Sequence, residues 1–100
     1  MSTNAPYYTD FDSGFPICWN QDLNDDFDWT LDASGTSSSS TGPSDDMTGG
    51  GNYMYIESSS PNYPSVGPFT LTSECFDLSN STNPSLSFYY NMYGAAIGTL

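Results

Sequence analysis

Alternating apolar and polar positions recur in short runs along the chain, and they predict β-strands. In one run, Phe27 and Trp29 share one side while Asp26 and Asp28 share the other. This follows because successive side chains of an extended strand point to opposite faces. We expect residues 18–31 to contain the central core strand, with two aromatic rings inside and two carboxylates facing solvent or a cation.

Further strands are predicted by the same alternation in residues 7–12, 53–58, 69–72 and 86–93. The last segment is the clearest, with four apolar side chains on one face, namely Leu86, Phe88, Tyr90 and Met92. Its phase predicts that Phe88 and Tyr90 join Phe27 and Trp29 in one core between two sheets. No segment repeats with the helical period. The predicted fold class is therefore all-β and sandwich-like.

A long polar segment, residues 33–52, separates the predicted core strand from the next strand. It contains four consecutive serines and the triplet Gly49-Gly50-Gly51. Such a composition disfavours a helix, and a connection of this length inside one domain is typically functional or flexible. We predict a loop here.

The charge of the chain limits its partners. Twelve carboxylates stand against no Lys, Arg or His, which gives a net charge of −12. Nucleic-acid binding by phosphate neutralisation is excluded, and anionic membrane surfaces are disfavoured. No apolar run reaches the roughly 20 residues that a membrane helix needs. Aromatic residues make up 16% of the chain, which favours a packed domain over acidic disorder.

Catalysis has few candidate groups in this sequence. Without His, Lys and Arg, the usual general base, Schiff-base nucleophile and oxyanion-binding cation are absent. Two carboxylate-based alternatives exist. Asp12-Ser13-Gly14 is similar to the aspartic-protease signature, and Asp28 with Glu57 would make a glycosidase-like pair. We expect no enzymatic activity.

Two further features concern covalent chemistry. Cys18 and Cys75 are the two cysteines of the chain, and they are either disulfide-bonded, as the extracellular character of the chain favours, or two free buried thiols. Asn80-Ser81-Thr82 is a glycosylation sequon, which has meaning only in a eukaryotic secretory pathway.

The order of motifs resembles the MAM domain, the extracellular module shared by meprin, neuropilin and receptor tyrosine phosphatase mu. The resemblance covers residues 11–100, after a lead-in of residues 1–10. It is carried by Phe11-Asp12, Cys18-Trp19, Asp25-Asp26-Phe27-Asp28-Trp29, Thr41-Gly42-Pro43-Ser44, Tyr53-Met54-Tyr55-Ile56-Glu57, and Leu86-Ser87-Phe88-Tyr89-Tyr90-Asn91-Met92-Tyr93-Gly94 followed by Gly98-Thr99-Leu100.

The resemblance implies a jelly-roll-like antiparallel β-sandwich of which residues 11–100 are the N-terminal part, continuing beyond Leu100. Vertebrate members carry a cysteine where this chain has Ser85 and another near Thr9, so their disulfide plan does not carry over. The segment around Cys75 is more similar to bacterial MAM-like sequences.

The function implied is a non-catalytic interaction or adhesion module of a larger secreted or cell-surface protein. Its partner would be a protein or glycan at a cell surface or in the matrix, and the alternative is a carbohydrate-binding jelly roll. Hard oxygen ligands favour Ca²⁺ over Zn²⁺, and some MAM domains bind a cation among their early acidic residues. We expect Ca²⁺ near Asp12, Asp26, Asp28 and Asp46, with Asp25 and Asp45 as alternates.

Overall fold

A computed structural model describes residues 2–59, 62 and 67–100 of the chain. Within these ranges the regular structure consists of six short strands and no helix, so the predicted all-β class is confirmed. The strands are β1 (Thr3–Asn4), β2 (Asn20–Gln21), β3 (Thr30–Asp32), β4 (Tyr53–Tyr55), β5 (Leu71–Thr72) and β6 (Phe76–Asp77).

The strands pair across long sequence distances into three two-stranded sheets. β1 runs parallel to β6, whereas β2 with β5 and β3 with β4 are antiparallel. In the β3–β4 sheet, Asp32 lies opposite Tyr53 and Leu31 opposite Met54. The long polar loop connects β3 to β4, so the pairing of these strands holds the two ends of the loop close together.

The predicted strands agree with the structure only in part. β4 and β5 lie within predicted segments, β2 lies within residues 18–31, and β3 begins there and ends one residue beyond, at Asp32. The strands predicted at residues 7–12 and 86–93 are wrong, because neither segment is a strand. Alternation places side chains on two faces, but a strand also needs a neighbour for its backbone N–H and C=O groups.

Aromatic pairs, rather than one shared core, provide the apolar packing. Among the described residues no hydrophobic side chain is fully buried. The accessible surface is 7535 Å², against about 5,500 Å² for a compact folded chain of this mass. The predicted common core is therefore wrong. Phe27 packs on Phe69 with ring centroids 5.7 Å apart, whereas Phe88 and Tyr90 are 60% and 70% exposed.

Candidate functional site

Two of the predicted cation ligands meet at a glycine. A Cβ atom placed on Gly51 would overlap with Asp12 Oδ1 and Asp46 Oδ2. Both carboxylates therefore approach the backbone at Gly51 more closely than any larger residue would permit. Asp12 Oδ1 also accepts a hydrogen bond from the Asn52 backbone N–H at 2.8 Å.

The glycine triplet supplies the donors for a second pair of carboxylate contacts. The N–H of Gly50 lies 2.8 Å from both oxygens of Asp45. Asp46 Oδ1 accepts from the N–H groups of Gly49 at 2.6 Å and Gly51 at 3.1 Å. The side-chain hydroxyl of Thr48, and then these backbone donors, hold the pKa of Asp46 below its usual value. We call Asp12, Asp45, Asp46 and residues 49–52 the carboxylate–glycine loop.

The remaining predicted ligands, Asp25, Asp26 and Asp28, are not part of this loop. Asp26 and Asp28 are exposed, and Asp25 Oδ2 accepts from the Thr70 N–H at 2.6 Å. In the part of the chain that the structure describes, no three His, Cys, Asp or Glu side chains are grouped to hold a metal ion. Of the four predicted ligands, only Asp12 and Asp46 are brought to the same place, beside Gly51. Asn52 was missed by the sequence reasoning.

Trp29 is fixed by polar contacts on three sides. Its Nε1–H donates to the Phe69 carbonyl at 2.8 Å. The side-chain amide of Gln21 donates to the Trp29 carbonyl at 2.7 Å and accepts from its N–H at 3.0 Å. The Gln21 amide thus satisfies the backbone N–H and C=O of Trp29, which has no paired strand.

Glu57 connects the long polar loop of residues 33–52, which we call the serine-rich loop, to the segment after β4 by hydrogen bonds. Its Oε2 accepts from the Ser37 hydroxyl at 2.6 Å and the Ser38 N–H at 3.1 Å. Its Oε1 accepts from the N–H of Ser59 at 3.1 Å and from the Ser59 hydroxyl. These bonds, with the Ser37 and Ser59 hydroxyls contributing most, lower the pKa of Glu57 from 4.5 to about 2.

The hydroxyl of Tyr53 binds the same loop at the point where Gly35 and Pro43 meet. The Gly35 N–H donates to the Pro43 carbonyl at 3.0 Å, and the Tyr53 hydroxyl donates to the Gly35 carbonyl. Burial, and then the negative charge of Asp32 opposite it, raise the pKa of Tyr53. The predicted loop is confirmed as strand-free, yet it is held by specific hydrogen bonds.

An uncharged aromatic surface occupies the C-terminal part. All residues from 86 to 93 are exposed, among them Leu86 at 86%, Tyr89 at 78% and Tyr93 at 70%. Phe88, Tyr90 and Met92 line an open groove of about 380 Å³ together with Gly98, Thr99 and Leu100. We call residues 86–93 the aromatic segment. Its side chains expose aromatic rings and tyrosine hydroxyl groups to solvent.

The cysteines are not bonded in the structure. Cys18 and Cys75 are both exposed free thiols. Cys18 lies in the turn before β2, and Cys75 directly precedes β6. Because β2 pairs with β5 and β6 pairs with β1, the two cysteines adjoin different sheets. The predicted disulfide is absent, and the alternative of two buried thiols is also wrong.

Comparison with known families gives the context for these features. The family model for the MAM domain, meprin/A5/mu, matches residues 9–100. The chain belongs to the MAM family. The MAM fold is a jelly-roll-like β-sandwich, in agreement with the predicted class. The match begins two residues before the predicted boundary and leaves only residues 1–8 outside it.

Several curated proteins resemble this MAM chain. It is 36% identical over 107 residues to a mouse MAM domain-containing glycosylphosphatidylinositol anchor protein 2, covering 94% of the chain. It is 38% identical over 108 residues to the human anchor protein 1, covering 97%, and 36% identical over 75 residues to zebrafish Neuropilin-1a, covering 74%. It spans 11%, 11% and 8% of those proteins. No solved structure matches the chain.

The location of the chain follows from its family. The relatives are extracellular or cell-surface proteins, and the MAM chain is assigned to the same side of the membrane, as predicted. The described residues include no helix that is both long and apolar enough to cross a bilayer.

Proposed function

We propose that this MAM domain is a non-catalytic interaction module that contributes to adhesion by a larger secreted or cell-surface protein. The family match over residues 9–100 carries this proposal. The aromatic segment supplies a binding surface, because large exposed aromatic side chains are the residues that most often anchor protein interfaces.

The electrostatics of Glu57 disfavour it as the general acid of a glycosidase-like pair with Asp28. A general acid must hold a proton near neutral pH, so its pKa is raised in such enzymes. The pKa of Glu57 is instead lowered to about 2. Its oxygens are also occupied by Ser37, Ser38 and Ser59.

The binding role is tested with a tetramerised form of the domain applied to mammalian cells. We expect retention on untreated cells and loss after the surface proteins are removed with trypsin. Replacing Tyr89 and Tyr93 by serine should reduce retention at least tenfold. Tyr8→Ser is the matched control, because Tyr8 is 75% exposed and lies outside the aromatic segment. Equal retention of all variants would refute the aromatic segment as the binding surface.

A glycan ligand is the second candidate, favoured by the exposure of Tyr89, Tyr90 and Tyr93. Tyrosine rings stack on the apolar faces of sugars while their hydroxyls donate hydrogen bonds. Retention that survives trypsin but is lost after enzymatic removal of cell-surface glycans would select this candidate. A glycan array then identifies the sugar class.

Calcium binding by the carboxylate–glycine loop remains a proposal. It is supported by the approach of Asp12 and Asp46 to one point in a chain without cationic side chains. Ca²⁺ added at constant ionic strength should raise the melting temperature and saturate. Asp46→Asn should abolish the shift, and Asp28→Asn tests whether Asp28 is a ligand. A stabilisation that NaCl reproduces would show only screening.

A further inference from the structure

We propose that Asn80 is an acceptor for N-linked glycosylation. Asn80-Ser81-Thr82 is the one Asn-x-Ser/Thr sequence of the chain whose middle residue is not proline. The adjoining Asn83-Pro84-Ser85 also begins with Asn and ends in a hydroxyl residue, but it carries proline in the middle, which prevents modification. The extracellular or cell-surface location of the domain supplies the secretory pathway that this chemistry requires.

The local fold presents the acceptor in a short turn after β6. Asp77 Oδ1 accepts from the Ser79 N–H at 2.9 Å. The Ser81 N–H donates to the Leu78 carbonyl at 3.0 Å, which closes the turn around residues 79 and 80. The hydrogen bonds of this turn use the backbone of the sequon and leave its side chains outward.

Accessibility supports the same assignment. Asn80, Ser81 and Thr82 are all exposed. Across the ranges that the structure describes, no hydrogen bond engages the side-chain amide of Asn80. Every residue from 77 to 93 is exposed, so a bulky glycan here displaces no packed side chain. A glycan at Asn80 would add polar surface beside the aromatic segment.

The modification is a glycosyl transfer without a redox step. A bond forms between Asn80 Nδ2 and the anomeric carbon of an oligosaccharide. The bond between that carbon and the oxygen of a polyprenyl diphosphate carrier breaks, and the carrier leaves as the diphosphate. The Asn80 amide loses one proton, which balances the reaction.

The test is direct analysis of the full-length protein secreted from cultured mammalian cells. We expect peptide mass spectrometry to find an oligosaccharide on Asn80. Peptide-N-glycosidase F in ¹⁸O-labelled water should remove it and leave an ¹⁸O-labelled carboxylate at that position. Asn80→Gln should abolish the corresponding mobility shift completely, whereas Asn83→Gln, three residues further along the same exposed stretch, should leave it unchanged.

A second pair of variants separates loss of the sequon from loss of folding. Thr82→Ala removes the required hydroxyl and should abolish the modification, whereas Thr82→Ser keeps a hydroxyl and should retain it. Peptide mass spectrometry of the unmutated protein tests the proposal without any substitution. An unmodified Asn80 peptide from the secreted protein, or a glycosidase-sensitive shift that persists in Asn80→Gln at full strength, would overturn the proposal.

Discussion

Replacing Glu57 by glutamine tests whether one carboxylate organises the serine-rich loop. Glu57 accepts hydrogen bonds from Ser37, Ser38 and Ser59. Glutamine has one oxygen and one NH₂ group, so its NH₂ must face either the Ser38 or the Ser59 backbone N–H. Two donors then oppose each other, and one backbone donor loses its partner.

The lowered pKa gives the magnitude of this effect. A pKa of about 2 against an ordinary value of 4.5 corresponds to at most ~3 kcal/mol of preference for the charged form in the folded state. Glu57 is only half-buried, and solvent screening reduces the contribution, so we expect Glu57→Gln to lower the free energy of unfolding by about 1 kcal/mol.

The sign of the pH dependence follows from the direction of the shift. Because the folded pKa lies below the ordinary value, the contribution of Glu57 is fully present above about pH 4.5. It is lost progressively as the pH falls toward 2. The difference between the parent and Glu57→Gln in urea unfolding should therefore shrink over this window.

The assay combines urea unfolding with amide hydrogen exchange, which reports the loop locally. At neutral pH the amides of Ser38 and Ser59 should exchange faster in Glu57→Gln. Glu74→Gln is the matched control, because the carboxylate of Glu74, the other glutamate of the chain, accepts from the Thr3 hydroxyl at 2.6 Å, outside the serine-rich loop. Unchanged exchange of both serine amides in Glu57→Gln would refute the assigned role.

Three other changes test separate contacts. Trp29→Phe keeps an aromatic ring but loses the hydrogen bond to the Phe69 carbonyl, and it should lower the free energy of unfolding by about 1 kcal/mol. Trp19→Phe loses only an exposed hydrogen bond to the Tyr7 hydroxyl, so it should lower the free energy of unfolding less. Equal losses of stability in the two variants would contradict this ranking. Gly51→Ala should displace the two carboxylates beside it and destabilise, whereas Gly98→Ala meets no neighbour within 4 Å; equal melting temperatures would contradict the close approach. Both exposed cysteines should react with an alkylating reagent without prior reduction. If neither cysteine reacts, the two are bonded to each other and the assignment of free thiols is wrong.

The sequence showed which residue types form the carboxylate–glycine loop, but it did not show which of them meet. Abundant carboxylates and a glycine triplet are visible in the sequence, and Asp12 and Asp46 do converge. The convergence depends on a contact between residues 40 positions apart. No local pattern determines such a contact, which explains why Asn52 was missed and why Asp26 and Asp28 were grouped with the others.

The strand predictions failed where the backbone lacked a neighbour. Alternation predicted a core strand at Phe27–Trp29, but no strand forms there, and the Gln21 side chain rather than a second strand binds the Trp29 backbone. Residues 86–93 alternate just as clearly and remain unpaired and exposed. Alternation reports which side chains share a face, whereas pairing is a property of the rest of the fold.

The exposed aromatic segment also determines how two copies of the chain approach each other. All twelve carboxylates lie at or before Asp77, and the last 23 residues carry no charge. Mutual repulsion therefore turns the acidic parts of two molecules away from each other and leaves their neutral ends free to meet. Raising the salt concentration screens the acidic parts but changes the neutral ends little.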